Sequence, residues 1–493
     1  MSTISPTNLP NPTSTPVATI RSTPTSMPAA TPTPIPQTQI PLPEVSLHVP
    51  AQWREKVEAI LKDPQQSKTR RWQIVSDANA DVRLVNESGQ LIISQEPLVL
   101  AVPFTTEWEN ISSEEAENII SQGHNLITVM PWSAMPQGHR ALRIDGSFPA
   151  DDDYPWHDIW SLHAAPGYEE AAGELLPWLQ AAGSKPLVHL LAVGDIMLDR
   201  SLGYALQQGN LAYPFAAVSE KLREADVTIG NVESALGDMG EPAPKRYPFQ
   251  APLEAAESLA LAGFDVVSLA NNHAMDYGSA GLLQAISLLQ EHDILAIGAG
   301  ANAQEAHEPA IVEINDLKIA FLAYVNVPVE ATTGFDTASW TATSETAGLA
   351  WADPVQIADD VNAIRDKADL ITVVLHSGFE YVSAPSEPQV AAARSAIDAG
   401  ADLVVGHHAH ILQGIEFYAG GAIVYGTGNF AFEIDGPPQT ALFNIWLDED
   451  GVRQIDIQPA IIQFGGQPRL AESWEAPAIR NRVYHLTNLL NAR

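Results

Sequence analysis

Residues 264–278 read FDVVSLANNHAMDYG: an apolar run that closes on Asn271, Asn272 and His273, followed by Asp276 and Gly278. A short run of Val, Leu and Ala with no polar alternation suits a strand covered on both faces. Polar residues at its carboxyl end stand where open α/β sheets bind their ligands. The same arrangement recurs on either side. LVHLLAVGD (187–195) ends at Asp195, and DVTIGN (226–231) ends at Asn231, with Glu233 just beyond. DLITVVLH (369–376) ends at His376, and ADLVVGHH (401–408) ends at His408, with His410 two residues on. Helical spacing fills the gaps, as in LEAAESLALAG, GSAGLLQAISLLQEH, PVQIADDVNAIRDKA and EPQVAAARSAIDAG. Strands alternating with helices predict an α/β fold. After residue 411 the chain turns to strands (GIEFY, AIVYGTGNF, ALFNIWL, VRQIDIQPA) and closes on a helix, APAIRNRVYHLTNLL.

Each of these polar residues has an ordinary explanation when taken alone. Gly-Asp after a strand commonly makes a turn or a helix cap, Asn-Asn-His can bond its own backbone, and one histidine can be a satisfied core residue. Five strands ending this way in one domain point instead to convergence on one site. The chain has no cysteine, so a metal there would rest on carboxylate and amide oxygens and imidazoles. That donor set suits Mn²⁺, Zn²⁺, Fe or Mg²⁺.

The segments GNVESAL, LANNHAMDYG, LHSGFEY and GHHAHILQG, in this order over roughly residues 187–435, resemble the CapA family of the calcineurin-like metallophosphatase superfamily. The resemblance implies a four-layer αββα sandwich with a site for two divalent ions. It assigns Asp195, Asn231, Glu233, Asn272, His273, His376, His408 and His410 to the metal shells, with Asp195 and His273 in catalytic roles. It also implies work on poly-γ-glutamate at the cell surface. That work would be metal-dependent hydrolysis of an anionic polymer or phosphoester, alongside other capsule-synthesis membrane subunits, or a non-catalytic assembly or polymer-binding role. Two departures stand out: Asp195 is followed by Ile196 and Met197 where metallophosphatases carry Asp-x-His, and Glu233 replaces a bridging Asp.

The 493 residues divide into a Pro/Thr/Ser-rich tether (1–45), a smaller α/β unit (46–184) and the domain just described (185–493). The tether composition cannot bury enough apolar surface to order itself. No basic, then apolar, opening is visible in MSTISPTNLPNPTSTP, so no signal peptide is read there; the expected location is extracytoplasmic, anchored at the cell surface. In the smaller unit, VPAQWREKVEAIL, SSEEAENIIS and GYEEAAGELLPWLQAAG read as helices. WQIVSD, DVRLV, QLIIS, PLVLAVPF, ITVMPW and RALRI read as strands, and the stretch from PLVLAVPF faintly resembles a lobe of solute-binding proteins. A net charge of −35 excludes nucleic acid as a partner. It also repels free polyglutamate, so Lys245 and Arg246 in KRYPFQ are expected to help receive an anion, and Arg200 either joins them or makes a surface ion pair with Asp199 or Glu220. Tyr277, Phe379 and Tyr381 are expected to pack or to line the mouth.

Overall fold

A computed structural model describes residues 42–63, 65, 68–183, 185–329, 334–433 and 436–491. Of the Pro/Thr-rich segment, residues 1–41 lie outside the described residues, and the strand Glu44–His48 overlaps its end.

Two sheets build the larger domain. One runs Leu295–Ile297, Val266–Ser268, Val227–Val232, Leu187–Ile196, Gln439–Asp448, Gly451–Ile462 and Pro468–Leu470, with Asn429–Ala431 also lying against Leu187–Ile196. The other runs Ala310–Ile314, Leu317–Asn326, Leu370–Ser377, Leu403–His407, Gly421–Val424 and Ile415–Tyr418. The strands that carry the polar ends pair in parallel within each sheet.

Alternation along the strands shows how the layers stack. Ala323, Val325, Val374 and Val405 from the second sheet share one core with Leu190, Ala192, Ile229 and Val267 from the first. Their neighbours Leu322, Tyr324, Val373 and Val404 turn outward, onto Ile357, Val361, Ala392 and Ala396 of the helices Pro354–Ile364 and Glu387–Asp398. Leu202, Leu206, Leu222 and Leu259 cover the far face of the first sheet from the helices Arg200–Gln207, Ser219–Glu224 and Glu254–Ala262. The result is the expected four-layer αββα sandwich, with every strand end of interest at one edge.

Residues 44–183 form a separate sheet, ordered Arg71–Val75, Glu44–His48, Val82–Val85, His157–Ala164, Leu91–Pro103 and Thr128–Pro131, with His139–Ala141 against Leu91–Pro103. The helix Glu169–Gly183 packs on it through Ala171, Ala172, Leu175 and Leu179. QLIIS and PLVLAVPF are one strand, Leu91–Pro103, with a register irregularity between Ile92 and Ser94. The unit docks on the strands Gln439–Asp448 and Gly451–Ile462 of the first large sheet. Trp446 stacks on Phe148 at 4.2 Å between ring centres, and Gln454 Oε1 accepts from Trp132 Nε1 (3.0 Å) and the Ala141 amide (3.1 Å).

Candidate metal centre

Close backbone packing brings the strand ends together. Gly194 precedes Asp195, and a Cβ built there would lie 2.1 Å from the Gly428 carbonyl oxygen. That carbonyl accepts the Asp195 amide at 2.9 Å. Only a residue without a side chain allows this approach. The loop after Leu403–His407 carries its own constraint, since His408 (φ 84°) and His410 (φ 55°) both adopt left-handed backbone. Such conformations cost of order 1–3 kcal/mol each and collect at functional sites.

Asp195, Asn231, Glu233 and Asn272 come from the first sheet; His376, His408 and His410 come from the second. All seven are buried and adjoin one another. Glu233, His376 and His408 form one group whose ligand atoms lie within 4.8 Å of each other, and Asp195, Glu233 and His410 form another. Glu233 belongs to both. Its Oε1 lies 3.6 Å from His376 Nε2, and its Oε2 lies 3.9 Å from His410 Nδ1. Asn272 Oδ1 is 2.7 Å from His376 Nε2, on the side of the first group. Asn231 sits behind the ligand atoms: its Nδ2 donates to Asp195 Oδ1 (2.9 Å), and its Oδ1 accepts from Asn271 (3.1 Å).

The donor set fits divalent cations and is ill at ease without them. Both carboxylate oxygens of Glu233 are buried with no hydrogen-bond partner, as is Nδ1 of His408. Burial and the neighbouring Asp195 charge push the Glu233 carboxyl well above its usual range. Burial would raise Asp195 too, but hydrogen bonds from His407 and His410 hold it well below the ordinary value. Burial and the His410 charge drive His408 down to about 3. His410 rises to about 10: Glu233 and Asp195 overcome its burial. Buried, unpartnered carboxylate oxygens and imidazole nitrogens facing one another are a donor set that a divalent cation would satisfy.

His273 stands outside both groups. Its Nδ1 faces Asp276 Oδ2 at 2.7 Å, its ring lies 4.5 Å from that of Phe249, and a small part of the side chain reaches solvent. Lys245 is not a surface cation. Its Nζ is buried, 2.5 Å from Asp276 Oδ1 and 2.6 Å from the Asn272 carbonyl, so it braces the Asn-Asn-His loop from within. Arg200 donates to the Glu433 carbonyl (2.9 Å) and covers Phe249 at 5.0 Å; Arg246 is exposed and lies over Tyr247. Phe379 and Tyr381 are exposed, with the Tyr381 ring 5.9 Å from that of His410, and Tyr277 is half-buried.

Two further neighbours stand outside the assigned set. His407 Nδ1 lies 3.0 Å from Asp195 Oδ1 and 3.1 Å from Thr427 Oγ1. The adjacent His408 and His410 drew the ligand assignment, although GHHAH contains all three. Asn429 Oδ1 lies 2.8 Å from His410 Nδ1; in the sequence it looks like one more residue of the strand AIVYGTGNF.

Residues 189–434 match the family described as bacterial capsule synthesis protein PGA_cap. The chain is 33% identical over 303 residues to the capsule biosynthesis protein CapA of Bacillus anthracis, covering 59% of this chain and 71% of that protein. It is 32% identical over 273 residues to the PGA biosynthesis protein CapA of Bacillus subtilis, covering 54% and 70%. Among solved structures, a 5'-nucleotidase from Candida albicans aligns at 10% identity and TM-score 0.34, over 63% of this chain and 59% of its own. That likeness is too distant to add to the description above.

Proposed function

Because this chain belongs to the CapA family of bacterial capsule synthesis proteins, we propose that its larger domain is a metal-dependent hydrolase acting in poly-γ-glutamate capsule synthesis. The observation that carries the reading is Glu233: a fully buried carboxylate, both oxygens unpartnered, shared by two groups of metal-ligating side chains. Asp195, Glu233 and His410 would hold one ion, and Glu233, Asn272, His376 and His408 the other. Two divalent ions in that position supply Lewis acidity and a water acidic enough to attack near neutral pH.

The residues around them complete the chemistry. Asp276 occupies Nδ1 of His273, which leaves Nε2 to give a proton to a departing oxygen or nitrogen. Lys245 pairs with Asp276 and holds the loop in place. The exposed Tyr381 lies with its ring 5.9 Å from that of His410, where it can contact a bound substrate. Arg246 lies on the surface, while bound cations would have to offset the chain's own negative charge for an anionic polymer or phosphoester to approach. We place this activity outside the cytoplasm, at the cell envelope, alongside membrane subunits of capsule synthesis. Among the described residues no helix is long and apolar enough to cross a membrane.

One observation favours a second reading. Met197, fully buried, stands where metallophosphatases supply a histidine, which suits a centre that grips a polyanion through its cations without cleaving it. Hydrolysis of bis-p-nitrophenyl phosphate and of poly-γ-glutamate by Mn²⁺- or Zn²⁺-loaded protein separates the two. The hydrolase reading expects turnover that falls roughly 10²–10⁴-fold in His273→Ala with metal content unchanged. Fully loaded protein that binds poly-γ-glutamate and cleaves neither substrate would leave the assembly role.

A further inference from the structure

The two halves of the centre are unequally furnished. The half around His376 has two imidazoles, a carboxylate and the Asn272 amide oxygen. The half around His410 has two carboxylates and one imidazole; Met197, which packs with the Phe432 that contacts His410, offers only a thioether, a poor donor for a hard divalent ion. Asn429 lies beside this poorer half. It opens the strand Asn429–Ala431, which pairs in parallel with the end of Leu187–Ile196, and its register partner is Asp195 itself. Register partners on adjacent strands project their side chains to the same face.

Asn429 is buried, and its Oδ1 lies 2.8 Å from His410 Nδ1. The same nitrogen faces Asp195 Oδ2 at 3.5 Å and Glu233 Oε2 at 3.9 Å. Three side-chain oxygens from separate segments thus crowd one imidazole nitrogen, which carries at most one proton to share among them. A cation satisfies all four atoms at once. The amide nitrogen of Asn429 is buried with no partner, so the side chain is oriented by its Oδ1 contact toward His410 alone. The backbone is fixed independently: the Thr440 hydroxyl donates to the Asn429 carbonyl, and Gly194 admits the adjoining Gly428.

We infer that Asn429 supplies, through Oδ1, the fourth protein ligand of the metal position formed by Asp195, Glu233 and His410. This rests on the metal-centre reading above. It also makes the two positions chemically different. Three oxygens and one nitrogen surround the first; two oxygens and two nitrogens surround the second. Harder oxygen-seeking ions such as Mn²⁺ or Mg²⁺ belong at the first, and Zn²⁺ or Fe at the second.

The test measures ion stoichiometry and affinity by elemental analysis after dialysis and by Mn²⁺ and Zn²⁺ titration calorimetry. The proteins are wild type, Asn429→Leu, Asn429→Asp, His410→Ala and His376→Ala/His408→Ala. The expectation for Asn429→Leu is one retained equivalent, with the other weakened roughly 10–100-fold, as for His410→Ala. In Asn429→Asp, which restores an oxygen at the same place, both equivalents return. Two equivalents of unchanged affinity in Asn429→Leu, or no recovery in Asn429→Asp, would overturn the assignment and leave the metal centre standing. Wild-type protein that binds no metal would overturn both.

Discussion

Lys245 Nζ and Asp276 Oδ1 lie 2.5 Å apart, and neither side chain reaches solvent. The pair ties KRYPFQ to the Asn-Asn-His loop across 31 residues of sequence. Removing one partner of such a pair leaves an uncompensated buried charge, at about 3–5 kcal/mol. Lys245→Met is therefore expected to lose about that much stability in urea denaturation. A loss below about 1 kcal/mol would return Lys245 to the surface role that its sequence context invites.

Gly194 is expected to tolerate no side chain. A methyl group there meets the Gly428 carbonyl oxygen at 2.1 Å, in backbone that cannot swing aside. Gly194→Ala should cost at least about 2 kcal/mol by forced backbone shifts. It should also weaken metal retention, because the displaced strand carries Asn429. Unaltered melting and metal content would show that the two strands are not held this closely.

At the contact between the two folded units, Gln454→Leu removes the acceptor of both the Trp132 indole N–H and the Ala141 amide. Each orphaned buried donor costs roughly 1–3 kcal/mol. The substitution is expected to lower the urea midpoint accordingly. A change within about 0.5 kcal/mol, ordinary for a surface site, would mean the units do not rely on this contact.

One acid-side dependence follows from Glu475. The Arg469 fork (2.7 and 2.9 Å) and the Glu472 amide (2.8 Å) hold its carboxyl down to about 2 from the usual 4.5. The folded value lies below the unfolded one, so this contribution is complete above pH 4.5 and fades as pH falls toward 2. Wild type should thus exceed Glu475→Gln in urea midpoint at pH 6, with the gap closing over that window. A gap independent of pH would assign the effect to something other than the ion pair.

Most of the architecture was legible because strands covered on both faces declare themselves as apolar runs, and their ends carried the polar residues. Asp195, Glu233, His376, His408 and His410 could be named for that reason. What escaped depends on tertiary register. Asn429 matters because its strand lands beside Asp195, 234 residues earlier, and no local pattern encodes that pairing. Lys245 reads as a surface cation until Asp276 is seen to face it. In the smaller unit, the strand His157–Ala164 mixes His, Asp and Trp, so neither alternation nor an apolar run marked it. Pro97 made one long strand look like two, yet it pairs in register with His157 near the middle of that strand.

The central claim is that Glu233 is shared by two bound cations, and ion counting on Glu233→Gln tests it most directly. Wild-type protein, reconstituted with Mn²⁺ or Zn²⁺ and dialysed, is expected to retain two equivalents. His410→Ala and His376→Ala/His408→Ala should each retain one, and Glu233→Gln neither. Metal-free Glu233→Gln should melt no lower than metal-free wild type, since the substitution removes an unpartnered buried carboxylate; the loss of metal would then owe nothing to misfolding. A wild-type protein that retains no metal, or a Glu233→Gln protein that keeps both equivalents, would contradict the account.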